Sequence, residues 1–410
     1  MSSDKNLYSL DELGSVGRGR SRHRPRNDVS LYGGKYPFIQ TGDIRKAEFY
    51  VTSYSQTYNE KGLAQSKLWD KGTLCITIAA NIAETAILKI KACFPDSIIG
   101  FIADENKADV RFVKYCLETY KLQMQSISQG ATQDNLSLEK LLSLKFKLPP
   151  LPLQTRIADL LSAYDELIEV NNRRIALLEQ TAEQLYKEWF VRLRFPGYAQ
   201  TKVRKGVPEG WEVKPLKFFG KIITGKTPSK KVEHFYGTKF PFYKTPDIHR
   251  GVFINSTEEA LSDTGLKEIS SNSIPENSIM ISCIGTAGVV AISSSKGATN
   301  QQINSIIPNE SVYREYLYFV AKGLKPRIEM FGATGSTMTN LSKGKLSKLV
   351  VLNPEKSIVN RFNQKTIAFF NQIQTLQTQN QTLRHTRDLL LPRLISGQLS
   401  VAEAETALNA

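Results

Sequence analysis

The chain has 410 residues, enough for two or three domains that each bury a core. A hydrophobic content of 41% and a charged content of 23% exclude a disordered or fibrous chain. The 54 Lys and Arg residues outweigh 39 Asp and Glu to give a net charge of +15, which favours a polyanionic partner.

The first ten residues, MSSDKNLYSL, contain no signal-peptide core, and no run approaches the ~20 apolar residues of a membrane helix. A basic loop follows, GRGRSRHRPR at Gly17–Arg26, in which Arg18, Arg20, Arg22 and Arg24 alternate with small residues. Arginine can clamp phosphate and read guanine bidentately, and interleaved glycine lets backbone approach a groove. Short apolar runs at Leu74–Ala79 and Ile98–Ala103 predict strands, and Val110–Gln125 predicts a helix. After the proline cluster at Leu148–Pro152, apolar positions step by four and three through Ile157, Leu161, Tyr164, Ile168, Ile175, Leu178, Ala182, Leu185 and Trp189, with Asn171 the one polar member. This heptad seam predicts a helix ~50 Å long that stops near Phe195–Tyr198. The basic segment from Arg192 to Leu216 is expected to be a surface linker. Beyond it, Ile279–Ile284 and Val289–Ile292 predict strands, and Val312–Ile328 a helix. A second heptad seam starts after Pro354 and runs from Phe362 to Leu390, with Pro392 expected to end or kink it. The four cysteines, Cys75, Cys93, Cys116 and Cys283, form no C-x-x-C pair and suit reduced core residues of a cytoplasmic protein.

The chain states itself twice. YGGKYPFIQTGDI at Tyr32–Ile44 returns as YGTKFPFYKTPDI at Tyr236–Ile248, and GATQDNLS at Gly130–Ser137 returns as GSTMTNLS at Gly335–Ser342. Gly72–Ile87 and Asn277–Ile292 echo each other at the same offset of roughly 205 residues. One offset shared across half the length marks a duplicated unit. The expected architecture is α/β: two similar mixed α/β domains joined by a long antiparallel two-helix coiled coil, with an internal pseudo-twofold. The expected boundaries are 1–150 for the first domain, 151–192 for the first helix, 193–353 for the linker and second domain, and 354–410 for the second helix and tail. If Asn171 faces Asn380, then Leu161 meets Leu390, Ile168 meets Leu383, Ile175 meets Leu376 and Ala182 meets Phe369. Tyr164 against Arg387 is the awkward layer of that register.

Several motifs suggest catalysis and fail on context. GKIITGKT at Gly220–Thr227 satisfies the P-loop pattern, but Pro228, Ser229, Lys230 and Lys231 follow where a helix N-terminus is needed. Pro95-Asp96 with Glu105-Asn106-Lys107 imitates a nuclease spacing, and the second copy lacks it. The histidines His23, His234, His249 and His385 are scattered. Lys226, Lys230 and Lys231 make better sense as phosphate contacts on DNA, in the position that the arginine loop holds in the first copy. Gln40, Thr41, Gln133, Lys244, Thr245 and Thr337, from the repeated loops, complete the candidate DNA-binding set. Catalytic, cofactor-binding and metal-ligating sets are empty.

The G-x-T-x-x-NLS motif, the segment LPPLPLQTRIADLLSAYDELIEVNNRRIALLEQTAEQLYKEWF, then RFPGY and VPEGWE, and finally LLLPRLISGQL near the end resemble the specificity subunit of Type I restriction–modification systems. The resemblance covers the whole chain and the order of its parts. It implies two target recognition domains that each read one half of a split, asymmetric double-stranded DNA site, with the helix pair as the spacer that sets the gap. It implies no cofactor in this chain and no membrane. Two methyltransferase subunits carrying S-adenosylmethionine are the expected partners, with motor–endonuclease subunits supplying the ATP- and magnesium-dependent steps. The sequence alone also admits a stand-alone bipartite DNA-binding regulator.

Overall fold

A computed structural model describes residues 6–129, 136–284, 286–332 and 341–409. The chain divides into two compact units, Met1–Glu169 with Thr382–Ala410, and Val170–Gln381. In the first unit a five-stranded sheet has the order Gly14–Arg18, Ile98–Ala103, Leu74–Thr77, Thr85–Leu88, Tyr50–Val51. In the second unit the order is Gly220–Thr224, Ile303–Pro308, Ile279–Ser282, Val290–Ser293, Phe253–Ile254. Position for position these are the same sheet. The central strands are buried on both faces, which is why the sequence shows them as continuous apolar runs and not as alternation.

A second sheet lies beside the first in each unit. In the first unit Tyr32–Phe38 pairs with Gln56–Tyr58 and, in parallel, with Ala92–Cys93. In the second unit Phe240–Tyr243 pairs with Ala260–Leu261 and, in parallel, with Gly297–Thr299. The repeated Tyr-Gly motif thus forms the strand that leads into the short helices Thr41–Lys46 and Thr245–Ile248. Each predicted intermediate helix is two helices, Val110–Thr119 then Lys121–Gln129, and Arg314–Gly323 then Lys325–Gly332.

The first long helix runs Leu151–Tyr186 and widens into a π-helical turn at Lys187–Val191. The second runs Lys356–Ser396 and passes through Pro392 without ending there. Within the second unit, Asn171 Nδ2 donates to Asn380 Oδ1 at 2.9 Å, and the Trp189 and Phe362 rings lie 6.0 Å apart. The two pairs have the same residue-number sum, so the helices are antiparallel in the expected register. Within the first unit the awkward layer resolves differently from expectation. Asp165, not Tyr164, is the buried residue there, and its carboxylate accepts the Tyr115 hydroxyl and pairs with Arg387. The seam is buried as expected at Leu161 and Ile168 on either side, so the change is local: the Tyr115 hydroxyl holds Asp165 in the contact, and Arg387 follows the carboxylate, not the ring.

The expected surface linker is surface only in its middle. Phe195 and Trp211 are buried with ring centroids 4.6 Å apart, in one core with Trp189, Phe190 and Phe362. Glu212–Pro215 then pairs with Val350–Asn353. Among the described residues no helix is long and apolar enough to cross a membrane. All four cysteines are buried, and none forms a disulfide among the described residues.

Candidate nucleic-acid interface

In both units the basic loop leaves the edge strand through a glycine pressed against backbone. Gly19 N–H donates to Ile98 O at 2.8 Å, and Gly225 N–H donates to Ile303 O at 3.0 Å. A Cβ on Gly19 would sit 2.2 Å from Pro95 O, and one on Gly225 2.1 Å from Asn300 O. Only glycine fits either place. The close approach expected between glycine and a DNA groove is, at Gly19, an approach to the protein's own chain.

Beyond Gly19 the loop is pinned. Gln65 Oε1 accepts the N–H of Arg22 at 2.6 Å and of His23 at 3.0 Å, and Ser66 Oγ donates to Arg20 O at 2.7 Å. The Ser30 N–H and hydroxyl and the His23 ring hold the Asp28 carboxyl down at about 2. Arg18, Arg20 and Arg22 are exposed and make no ion pair among the described residues. Arg24 is different: its guanidinium folds back on Ser21 O at 2.8 Å and His23 O at 2.9 Å. Arg26 clamps both oxygens of Asp96 at 2.8 Å. This pairing removes Asp96 from any nuclease constellation. Strand Ile98–Ala103 also separates Asp96 from Glu105 by ~20 Å at ~3.3 Å per residue.

The same loop walls a cleft of ≈620 Å³ lined by Arg26, Asn27, Tyr32, Gln40, Thr41 and Gln56 among others. The candidates Gln40 and Thr41 are therefore brought together here. Gln40 precedes helix Thr41–Lys46, its N–H bonded to Asp43 Oδ2 at 2.9 Å, and its Nε2 donates to Gln56 Oε1. The second unit repeats the arrangement: Lys244 N–H donates to Asp247 Oδ2 at 2.9 Å. Lys244 Nζ pairs with Glu259, and Lys230 reaches the same carboxylate at 3.4 Å. The Lys244 bond holds the Glu259 carboxyl below its ordinary value. Thr245 Oγ1 donates to Gln302 Oε1 at 3.1 Å. Lys226 and Lys231 are exposed without an ion pair among the described residues. Gln133 and Thr337 lie outside the described residues.

The P-loop reading ends on this geometry. Gly220–Thr224 is an edge strand of the sheet, and the residues after it form a loop and a single short turn at Glu233–Phe235. Among the described residues no group of three or more His, Cys, Asp or Glu is placed to hold a metal ion. Sequence reasoning missed Gln56, Gln65 and Glu259. The signal that could have found Gln56 and Glu259 is the duplication, because each faces its copy of the Tyr-Gly strand, Gln56 opposite Phe38 and Glu259 opposite Phe242.

Residues 2–180 and 208–385 match the Type I restriction modification DNA specificity domain, twice over. The chain belongs to this family. It is 28% identical to the Type I restriction enzyme HindI specificity subunit of Haemophilus influenzae, across 97% of this chain and 100% of that one. It is 26% identical to the MjaIX specificity subunit of Methanocaldococcus jannaschii, across 98% and 94%. The crystal structure of the Type I system S subunit from M. genitalium shares the fold, with a TM-score of 0.60, 14% identity and 96% coverage of each chain.

Proposed function

We propose that this chain is the DNA-recognition subunit of a Type I restriction–modification complex, each unit reading one half of a split, asymmetric site. The observation that carries this is the duplication itself. Two domains of one topology, each with a basic loop at the same sheet edge, suit two separate half-sites. The loops differ in sequence, GRGRSRHRPR against GKTPSKK, so the half-sites differ. The long helices act as the spacer between them.

The partners are two methyltransferase subunits and, in the full complex, motor–endonuclease subunits. S-adenosylmethionine, ATP and magnesium belong to those partners, and this chain contributes recognition without catalysis. Arg18, Arg20 and Arg22 in one unit and Lys226, Lys230 and Lys231 in the other supply phosphate contacts, which position the duplex without reading it. Co-expression with the methyltransferase subunits of its own system, followed by methylome mapping, tests the reading. A single bipartite methylated motif is expected, and none with this chain omitted. Methyl transfer by the purified chain alone, or a motif without two separated halves, would overturn it.

A further inference from the structure

Gln40 and Lys244 occupy the same place in the two copies, each the residue before the short helix whose third residue is aspartate. Gln56 and Glu259 also correspond: Gln56 lies opposite Phe38 on its strand, and Glu259, just before strand Ala260–Leu261, accepts the Phe242 N–H through its carbonyl. The duplicated fold therefore carries one two-residue position filled in two ways, as an amide pair and as an ion pair. Both pairs sit against a short helix and strand that are otherwise alike, so the substitution changes chemistry with little change of scaffold.

The unspent hydrogen-bonding groups of the pairs differ. The bond from Gln40 Nε2 to Gln56 Oε1 uses one polar atom of each amide. Gln40 Oε1 and Gln56 Nε2 remain without a protein partner among the described residues, an acceptor beside a donor. That is the complement of adenine in the major groove, which offers the N6 amino donor beside the N7 acceptor. In the second unit Glu259 takes one proton of Lys244 through Oε1, and its Oε2 is buried without a partner. The carboxylate thus orients the ammonium and has no exposed acceptor of its own to offer. Lysine keeps further donors and no acceptor. A donor-only group complements guanine, whose O6 and N7 are both acceptors.

We infer that these pairs are base-reading positions: Gln40 with Gln56 selects an adenine in one half-site, and Lys244, positioned by Glu259, selects a guanine in the other. This rests on the DNA-recognition reading above and adds which residues read and what they read.

The test exchanges the pairs in the complete complex. Gln40→Lys with Gln56→Glu should replace one adenine by guanine in one methylated half-site, and Lys244→Gln with Glu259→Gln should replace one guanine by adenine in the other. Half-sites that are mapped but unchanged would overturn the inference and leave the recognition reading standing. A wild-type complex with no bipartite motif would instead overturn that reading.

A second measurement covers exchanges that do not assemble. Wild-type complex is titrated with duplexes carrying 7-deazaguanine or 7-deazaadenine at single half-site positions, which removes the N7 acceptor. One guanine in one half and one adenine in the other should each weaken binding, within the roughly 5- to 150-fold range of a bidentate contact. Lys244→Ala should abolish the first sensitivity, and Gln56→Ala the second. Sensitivities that survive these substitutions would overturn the inference.

Discussion

The paired asparagines make a prediction about how the helix register is held. Asn171 and Asn380 are 1% and 2% exposed, so neither amide can turn to water. Asn171 donates to Asn380 at 2.9 Å, and Asn380 donates onward to Asn172 at 2.8 Å. Replacing Asn171 by leucine leaves Asn380 Oδ1 buried without its donor, a penalty of about 1–3 kcal/mol. Leucine recovers part of this through apolar burial, about 1 kcal/mol for the additional methyl and methylene surface. The net expectation is a loss of about 1 kcal/mol for either single leucine variant. The double variant removes both buried amides together and should be as stable as wild type or more so, because Asn172, which loses the Asn380 donor, is exposed to water and no buried group is left unpaired. Urea unfolding, followed by a probe in the unit that contains both residues, measures the three differences. A coupling energy of about 1 kcal/mol or more is expected across the cycle. Strictly additive effects would refute the reasoning. The double variant should also lose the penalty against slipped registers, since a slip no longer buries asparagine against leucine.

Other consequences follow from single side chains. Trp211→Ala should destabilise its unit by about 3–5 kcal/mol, because the residue is core and not linker; a shift below 1 kcal/mol in equilibrium unfolding would place it back on the surface. Lys230→Ala should lower the slope of log affinity against log salt by about one unit and weaken binding to all sequences alike; an unchanged slope would remove it from the phosphate contacts. The Glu259 carboxyl is depressed chiefly by its bond to Lys244, so the stability that pair contributes is complete above the ordinary value of 4.5. It is lost as pH falls through the depressed value. In an NMR titration Lys244→Ala should move the Glu259 midpoint up towards 4.5; an unmoved midpoint would mean that Lys244 is not the cause.

The helix pair was the most legible part of the chain, since heptad spacing is local and Asn171 and Asn380 mark the register by being polar in an apolar stripe. Its failure at Tyr164 is instructive. Which of two neighbouring residues is buried depends on a distant partner, here Tyr115 meeting Asp165, and spacing carries no record of that. The duplication and the buried strands were legible for the same reason that the helices were, because repetition and apolar runs survive in one dimension. Trp211 read as linker because its neighbours are charged and glycine-rich; its partner Phe195 is close in sequence, but the helix residues that complete the core are not. The basic loops were found by composition, yet Arg24 and Arg26, though exposed, fold back on carbonyls and on Asp96, and composition cannot distinguish an unpaired arginine from one that holds the loop. Gln56 and Glu259 carry no motif at all and become visible only when backbone pairing lays them beside Phe38 and Phe242.

The central proposal is that the helices set the gap between the two half-sites, and lengthening the helices tests it most directly. In the second helix Gln377 grips both backbone groups of Phe253, and Arg384 pairs with Glu48, so a deletion there would remove an anchor. An insertion does not. One heptad placed between Asn172 and Arg173, with another between Thr378 and Gln379, keeps both anchors and the Asn171–Asn380 bond. It adds ~10 Å of helix at ~1.5 Å per residue. Methylome mapping of cells carrying the complete system with this variant should return the same two half-sites with a longer gap between them. The same half-sites at the wild-type gap would contradict the account.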